Sequence, residues 1–456
     1  MRTFDVVVIG AGPAGEVAAG RLADRGLSVA IVEDRLIGGE CSFWACMPSK
    51  ALLRPYEALA EARRVAGAAE AARGELDVAA VLARRDEIIH DLDDSSQLPW
   101  LEDRGIALLR GVGELTAERR LKVGDEEIEA SRAVILATGS IPSMPPIEGL
   151  DAIDDAWTNR EATTAKAIPD SLVIMGGGVV GVEMAQAFQT LGSQVTLIEG
   201  ERRLLPREEE YACAQVTEAL EGYGVDIRTG QKAARVEQRG DTVVVGTADG
   251  GEAQGDVLLV ALGRKPQTKG IGLESLAIDT DQPVAVDAVM RADGHPWLYA
   301  IGDVNGKALF THMGKYQGRI AADHILGEDT SLEHGADGPL SPRVIFTEPQ
   351  IAAVGHTSDT AAAAGLDVQV VETSTSGNAG GSFYGHDAPG TSRLLIDRER
   401  RVIVGATITG AEVGEMLQAA TIAIVGEVPL ERLRHATPCF PTRSEIWLSL
   451  LEDAGV

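Results

Sequence analysis

One pattern occurs twice in this chain of 456 residues, and its repetition limits the fold more than any other feature. The apolar run FDVVVIG ends in a turn holding Gly10, Gly12 and Gly15. Small and apolar residues at helical spacing follow (AGPAGEVAAGRLADRG), then a second apolar run, LSVAIVE, ending at Glu33. Runs of this kind predict buried parallel strands. The glycines allow a tight turn, close backbone approach to a pyrophosphate and close helix–strand packing. A pyrophosphate there meets a helix N-terminus, whose free N–H groups and dipole favour negative charge, and Glu33 can accept from ribose hydroxyls. Gly176, Gly178, Gly181 and Glu199 repeat the arrangement, each 166 positions after its counterpart. One such unit is a weak signal. Two in register predict two dinucleotide-binding domains, one for each of two cofactors.

Further strands close on glycine turns in both repeats: RAVILATGS ends in Thr138 and Gly139, and DVLLVALGRKP contains Gly263 and Arg264. WLYAIGDV places Asp303 directly after a strand, where it can bind a sugar hydroxyl or cap a helix. From about Ser341 the texture changes. RVIFTEP, TSRLLID and RVIVGATITG read as strands, the last two as a hairpin, and AEVGEMLQAATIAIV reads as an amphipathic helix. The segment TSTSGNAGGSFYGHDAPGTS, dense in Gly, Ser and Thr, is expected to be mobile. The fold class is therefore α/β: two Rossmann-like dinucleotide-binding domains plus a C-terminal α+β domain.

The composition, 45% hydrophobic and 24% charged, is that of a chain able to bury a large core. A formal charge of −28 argues against nucleic acid or an anionic membrane as partner. No apolar run has transmembrane length, and a first strand starting at Phe4 leaves no room for a signal peptide. Four cysteines are too few for a secreted disulfide framework, so a cytoplasmic location is expected. Two of the four, Cys41 and Cys46, sit in IGGECSFWACMPSK, beside the rare aromatics Phe43 and Trp44. No second Cys or His pair with ligand spacing accompanies them, so no metal site is expected.

Taken together, the first fingerprint, the Cys-x4-Cys-x-Pro-Ser-Lys loop, ATGS, the second fingerprint with Glu183, ALGRKP, AIGDV, FTEP and the late PTRSE resemble the flavin-dependent pyridine nucleotide–disulfide oxidoreductases from end to end. Dihydrolipoamide dehydrogenase, glutathione reductase and mercuric reductase belong to that family. The resemblance implies an FAD-binding domain over residues 1–148, completed by 281–338, an NAD(P)-binding domain over 149–280, and a dimerisation domain over 339–456. It implies electron transfer from a nicotinamide nucleotide through FAD to a Cys41–Cys46 disulfide and on to a small-molecule acceptor, in a homodimer. Cys46 would be the thiol beside the flavin and Cys41 the interchange thiol. Lys50 would stand by the flavin, paired with Glu183. Gly39 and His312 would join the residues above in holding the cofactors. A helix start with Lys50 nearby is expected to lower the pKa of both thiols. Glu199 favours a free ribose hydroxyl and hence NADH, whereas Arg202 and Arg203 offer a place for the phosphate of NADPH.

The chain also departs from the family. Its disulfide reductases carry His-Pro-Thr-x-x-Glu near the C-terminus, and that histidine serves as base to the interchange thiol. Here Pro441, Thr442 and Glu445 match, but Phe440 fills the histidine position. Phenylalanine transfers no proton. His435, His312 and Cys439 are the candidate substitutes, while Cys213, in a helical run, reads as inert. Glu40 stands where the family has threonine. Phe43 and Trp44 either pack against the core or, with Phe440, line an apolar acceptor pocket. The reading is an NADH-dependent, dihydrolipoamide dehydrogenase-like oxidoreductase acting on a disulfide or dithiol, the alternative being a reductase of a quinone or other non-thiol acceptor. Mercuric reductase is disfavoured, because the tail LSLLEDAGV lacks that enzyme's cysteine pair.

Overall fold

The apolar run after Met1 forms the strand Arg2–Ile9, whose residues Val6–Ile9 are almost fully buried. The computed structural model describes residues 1–332, 338–385 and 388–456. The chain forms two compact units, one of Met1–Pro48, Asp86–Pro142 and Arg264–Pro339, the other of Ser49–Arg85, Ser143–Gly263 and Leu340–Val456.

In the first unit, Arg2–Ile9 pairs in parallel with Val29–Glu33 on one side and Glu126–Leu136 on the other. Ala107–Arg110 and Leu298–Ala300 extend the parallel sheet at its two sides. Glu126–Leu136 is long enough to do two jobs: its first residues also pair antiparallel with Arg120–Val123, which turns back onto Gly113–Ala117. Because strand side chains alternate in direction, Val6, Val8 and Ile31 share one core with the helices Pro13–Ala23 and Thr311–Ile325. Val7, Ile9 and Val32 face the other way, against Leu121, Val134 and Trp297.

The second unit repeats the theme with a smaller parallel sheet, Asp226–Thr229, Gln194–Glu199, Ser171–Met175 and Val257–Val260, and the buried helix Val179–Thr190. A three-stranded antiparallel meander over Ala233–Arg239, Thr242–Thr247 and Glu252–Gly255 is an addition that the glycine pattern does not announce. The C-terminal segment builds a five-stranded antiparallel sheet, with the expected hairpin between Thr391–Asp397 and Val402–Gly410. Ala352, Ile408, Leu417, Ala420 and Leu450 bury the helices Leu417–Val425 and Ile446–Asp453 against it. The helix expected over 411–425 starts as a 3-10 turn at Val413–Met416 and becomes α-helical only at Leu417.

The segment expected to be mobile is pinned where it is described; His386 and Asp387 lie outside the described residues. Asn378 donates to the Arg443 carbonyl at 3.2 Å, and a Cβ on Gly380 would collide with the Thr442 backbone at 2.1 Å. Among the described residues, no helix is long and apolar enough to cross a membrane.

Two glycines hold each nucleotide unit together by backbone contact. A Cβ on Gly15 would sit 2.0 Å from the Gly10 carbonyl oxygen, and one on Gly181 would sit 1.8 Å from that of Gly176. No side chain fits such a gap without moving the helix off the sheet. Gly15→Ala and Gly181→Ala are each expected to destabilise the fold by about 2–3 kcal/mol. Denaturant unfolding checks this, and unchanged midpoints would contradict it.

Candidate active site

The middle glycine of each fingerprint behaves differently from its neighbours. Gly12 and Gly178 have extended backbone that any residue adopts, and a Cβ on either would meet no protein atom within 4 Å. Nothing in the protein demands glycine at these two helix N-caps. What demands it is a group occupying the open space in front of the helix, as a pyrophosphate held by the first-turn N–H groups would. Both fingerprints therefore fit a dinucleotide. Their acids match as well. Glu33 accepts from the Ala11 and Arg35 N–H groups at 2.8 Å, and Glu199 from those of Gly177 at 2.5 Å and Glu201 at 2.7 Å. Burial pushes the Glu33 carboxyl above its ordinary range, against the pull of those two backbone donors.

In the first unit, the thiol loop is docked onto this cradle. The Gly38 N–H donates to the Ala11 carbonyl at 2.8 Å, and a Cβ on Gly39 would lie 2.8 Å from the Gly12 Cα. Cys41 lies in the short helix Gly39–Phe43, and Cys46 opens the helix Cys46–Arg64. Both are free cysteines. The neighbouring Cys46 sulfur, then burial, raise the Cys41 pKa; Thr311 and Lys315 oppose the rise. The expectation that both thiols are acidified is thus corrected for Cys41, because the neighbouring sulfur and burial disfavour its thiolate. The Cys46 sulfur also lies 3.4 Å from the Thr311 hydroxyl. Thr311 carries no signal in the sequence. Its neighbour His312 is exposed and stacked on Phe310, with ring centroids 5.5 Å apart.

Asp303 is joined to the same loop through a polar chain. The Ser140 hydroxyl donates to Asp303 at 2.6 Å, Arg264 donates to the Ser140 hydroxyl and carbonyl at 2.7 Å, and Arg264 lies 3.6 Å from Glu40. Burial raises the Asp303 pKa. Glu40, in place of the family's threonine, thus ties the residue before Cys41 to Arg264. Thr138 donates to the Gln267 carbonyl at 2.7 Å, while a Cβ on Gly139 or Gly263 would meet open space.

In the second unit, Lys50 donates to both carboxylate oxygens of Glu183, at 2.8 and 3.1 Å. Glu183 is 3% exposed and also accepts from the Phe346 N–H at 3.0 Å, while the Lys50 ammonium stands 4.7 Å from the centre of the Phe346 ring. Phe346 carries no signal in the sequence beyond its place in FTEP. Arg202 is exposed, and Arg203 reaches the Pro206 and Glu208 carbonyls at 3.3 Å.

The C-terminal signature lacks a base as read. Phe440 is 77% exposed, His435 and Cys439 are exposed, and one Glu445 carboxylate oxygen is sealed from solvent with no hydrogen-bond partner among the described residues. Cys213 is buried, donates to the Leu205 carbonyl at 3.2 Å, and has its pKa pushed up to about 11 by burial, which makes it inert. The aromatic loop divides. Phe43 is 2% exposed and packs under Gly38, which overturns its reading as a pocket wall, whereas Trp44 is half-buried.

Comparison with known proteins agrees with this geometry. The family model described as pyridine nucleotide-disulphide oxidoreductase matches residues 4–321, and that of the family's dimerisation domain matches residues 341–450. The chain is 34% identical over 453 residues to dihydrolipoyl dehydrogenase of Thermus scotoductus, covering 98% of this chain and 96% of that one. It is 29% identical to mercuric reductase of Staphylococcus aureus, covering 97% and 81%. Among solved structures, the flavoprotein disulfide reductase RclA of Escherichia coli aligns with a TM-score of 0.85 at 26% identity, covering 98% and 99%. LpdA of Mycobacterium tuberculosis aligns with a TM-score of 0.86 at 25% identity over the full length of both chains. The chain belongs to the pyridine nucleotide–disulphide oxidoreductase family. It is an FAD- and NAD(P)H-dependent disulfide oxidoreductase.

Two predictions follow from the cradle. Gly12→Ala is expected to leave unfolding of the FAD-free protein unchanged while lowering FAD retention at least tenfold, measured by flavin fluorescence on dilution; full retention would contradict the cradle reading. Glu16, in the helix behind Gly12, has its pKa raised by burial from 4.5 to about 7, with Lys315 pulling it down and Glu33 pushing it up. The folded chain then holds this proton more tightly than the unfolded chain. Its contribution to stability is present below about pH 4.5 and is lost as pH rises to about 7. Glu16→Gln is expected to flatten the pH dependence of the melting temperature between pH 5.5 and 7.5, and parallel curves would contradict this.

Proposed function

We propose that this protein reduces a small-molecule disulfide at the expense of NADH, using Cys41 and Cys46 as its redox pair. The observation that carries the reading is the thiol pair itself: two free cysteines on a loop docked against a glycine cradle built for a dinucleotide. Bound FAD, in the cradle of Gly10, Gly12, Gly15 and Glu33 with Gly39, Thr138, Gly139, His312 and Asp303 around it, supplies the two-electron chemistry between nicotinamide and disulfide. Gly176, Gly178, Gly181 and Glu199, with Gly263 and Arg264 after the strand Val257–Val260, serve the nicotinamide nucleotide. Glu199 as the ribose acceptor favours NADH, and the engagement of Arg203 with two carbonyls leaves it less free for a 2′-phosphate.

The residues then have separate tasks. Cys46 serves as the thiol beside the flavin, and Cys41, whose pKa is raised, as the interchange thiol that attacks the substrate. Lys50 is held by Glu183, whose own charge is satisfied by Lys50 and a backbone N–H, so the ammonium keeps one position. The dimerisation match and the exposed Ile422, Val425 and Phe440 support a homodimer. Dihydrolipoyl dehydrogenase among the relatives supports lipoamide as the first substrate to try. Nothing in the comparisons supports the quinone reading.

A panel of lipoamide, low-molecular-weight disulfides and quinones, run with NADH on wild type and Cys41→Ser, tests the proposal. Disulfide turnover by the wild type, reduced at least a hundredfold by the substitution, is expected. Turnover of quinone alone, unaffected by Cys41→Ser, would contradict it. Glu183→Gln is expected to lower disulfide turnover about tenfold or more with the fold intact, because Lys50 loses its charged partner.

A further inference from the structure

The thiol that must attack the substrate, Cys41, has its pKa raised by the neighbouring Cys46 sulfur and by burial, and Phe440 supplies no base to take its proton. We infer that Lys315 is a further functional residue of the thiol site, its ammonium supplying from the same unit the positive charge that supports the Cys41 thiolate during interchange. The inference rests on the disulfide reading above.

The geometry points to Lys315 through Thr311. Thr311 is the first residue of the helix Thr311–Ile325, and its hydroxyl lies 3.4 Å from the Cys46 sulfur, so this helix end faces the thiols. Residues four apart lie on one face of a helix, and side chains lean back toward the N-terminus. Lys315 therefore shares the Thr311 face and leans toward the thiols, whereas His312, about 100° round the helix, does not. Lys315 is exposed and makes no ion pair within 4 Å among the described residues, so its charge is not neutralised at contact. The helix cannot back away. A Cβ on Gly314 would lie 3.2 Å from the Ala14 Cβ, and one on Gly318 would lie 2.7 Å from the Ala14 carbonyl oxygen. Electrostatics agree, since Lys315 and the Thr311 hydroxyl are the two groups that draw the Cys41 pKa down.

The other charged or titratable groups facing the site can be named. Cys46 lies beside Cys41, and Glu16, on the packed helix Pro13–Ala23, interacts electrostatically with Lys315 and Glu33. Glu40, next to Cys41, is tied to Arg264. His312 is stacked on Phe310.

In the step itself, the Cys41 thiolate attacks one sulfur of R–S–S–R′. The Cys41–S–S–R bond forms, the S–S bond of the substrate breaks, and R′–S⁻ leaves to take up the proton that Cys41 gave up. Cys46 thiolate then attacks the Cys41 sulfur, R–S⁻ leaves and is protonated by solvent, and the Cys41–Cys46 disulfide closes. The thiol pair loses two electrons and the substrate gains two. Lys315 moves no proton; it stabilises charge on the Cys41 sulfur.

The test uses the full chain with FAD bound, reduced with dithiothreitol and desalted anaerobically, as wild type, Lys315→Arg, Lys315→Met and Lys315→Glu. The initial rate of Cys41 alkylation by iodoacetamide is followed by peptide mass spectrometry across pH 6–10. At pH 7.5, Lys315→Met is expected to slow Cys41 alkylation about fivefold and Lys315→Glu further, with Lys315→Arg within about twofold of wild type. The pH profile should move upward in the same order, which loss of packing alone would not produce. Equal rates and profiles in all four proteins overturn the inference. Whether NADH generates the two thiols is measured separately on wild type, so failure of the disulfide reading is distinguishable from failure of the role given to Lys315.

Discussion

Backbone touching backbone at two glycine turns is the constraint on which the rest of this structure depends. Gly15 lies against the Gly10 carbonyl, and Gly181 against that of Gly176, closer than any side chain permits. Each contact seats a helix on its sheet with the helix N-terminus facing open space, and that space is what a pyrophosphate needs. The thiol loop inherits its position from the first of these turns, because Gly38 bonds to the Ala11 carbonyl and Gly39 packs on Gly12. Redox pair and cofactor cradle are thus set by one local geometry rather than by two independent ones.

The two thiols are not equivalent. The neighbouring Cys46 sulfur and burial raise the Cys41 pKa, whereas Cys46 opens the helix Cys46–Arg64 beside the Thr311 hydroxyl. What the family supplies by a histidine this chain does not supply at that position. Phe440 projects into solvent, and the Glu445 oxygen that would orient an imidazole has no partner among the described residues. Polar support for the thiols comes instead from the first unit's own helix, through Thr311 and Lys315. A disulfide exchange run this way depends on electrostatic stabilisation of the attacking thiolate more than on general-base transfer.

The parts of the molecule legible in the sequence are those with strong local rules. Parallel strands, fingerprint helices and the C-terminal hairpin follow from apolar runs and glycine turns, and the pairing of Lys50 with Glu183 follows from the motifs that carry them. The meander over 233–255 was not legible, since its short, partly exposed strands have no distinct period. Thr311, Ser140 and Phe346 were not legible either. Threonine, serine and phenylalanine are ordinary residues whose roles arise only when tertiary contacts bring them to a sulfur, an aspartate or an ammonium. Phe43 misled for a related reason: an aromatic beside a cysteine can face inward or outward, and burial decided it. The acidity expected of Cys41 failed because a neighbouring sulfur and burial outweigh a helix start and a lysine.

The central claim is that Cys41 and Cys46 are the electron store between flavin and substrate. Anaerobic titration of the oxidised, FAD-loaded protein with NADH, followed by alkylation and peptide mapping, tests it most directly. The account predicts two newly alkylatable thiols per flavin, at Cys41 and Cys46, together with a long-wavelength thiolate–flavin absorption band. Bleaching of the flavin with no new thiols and no such band would contradict it.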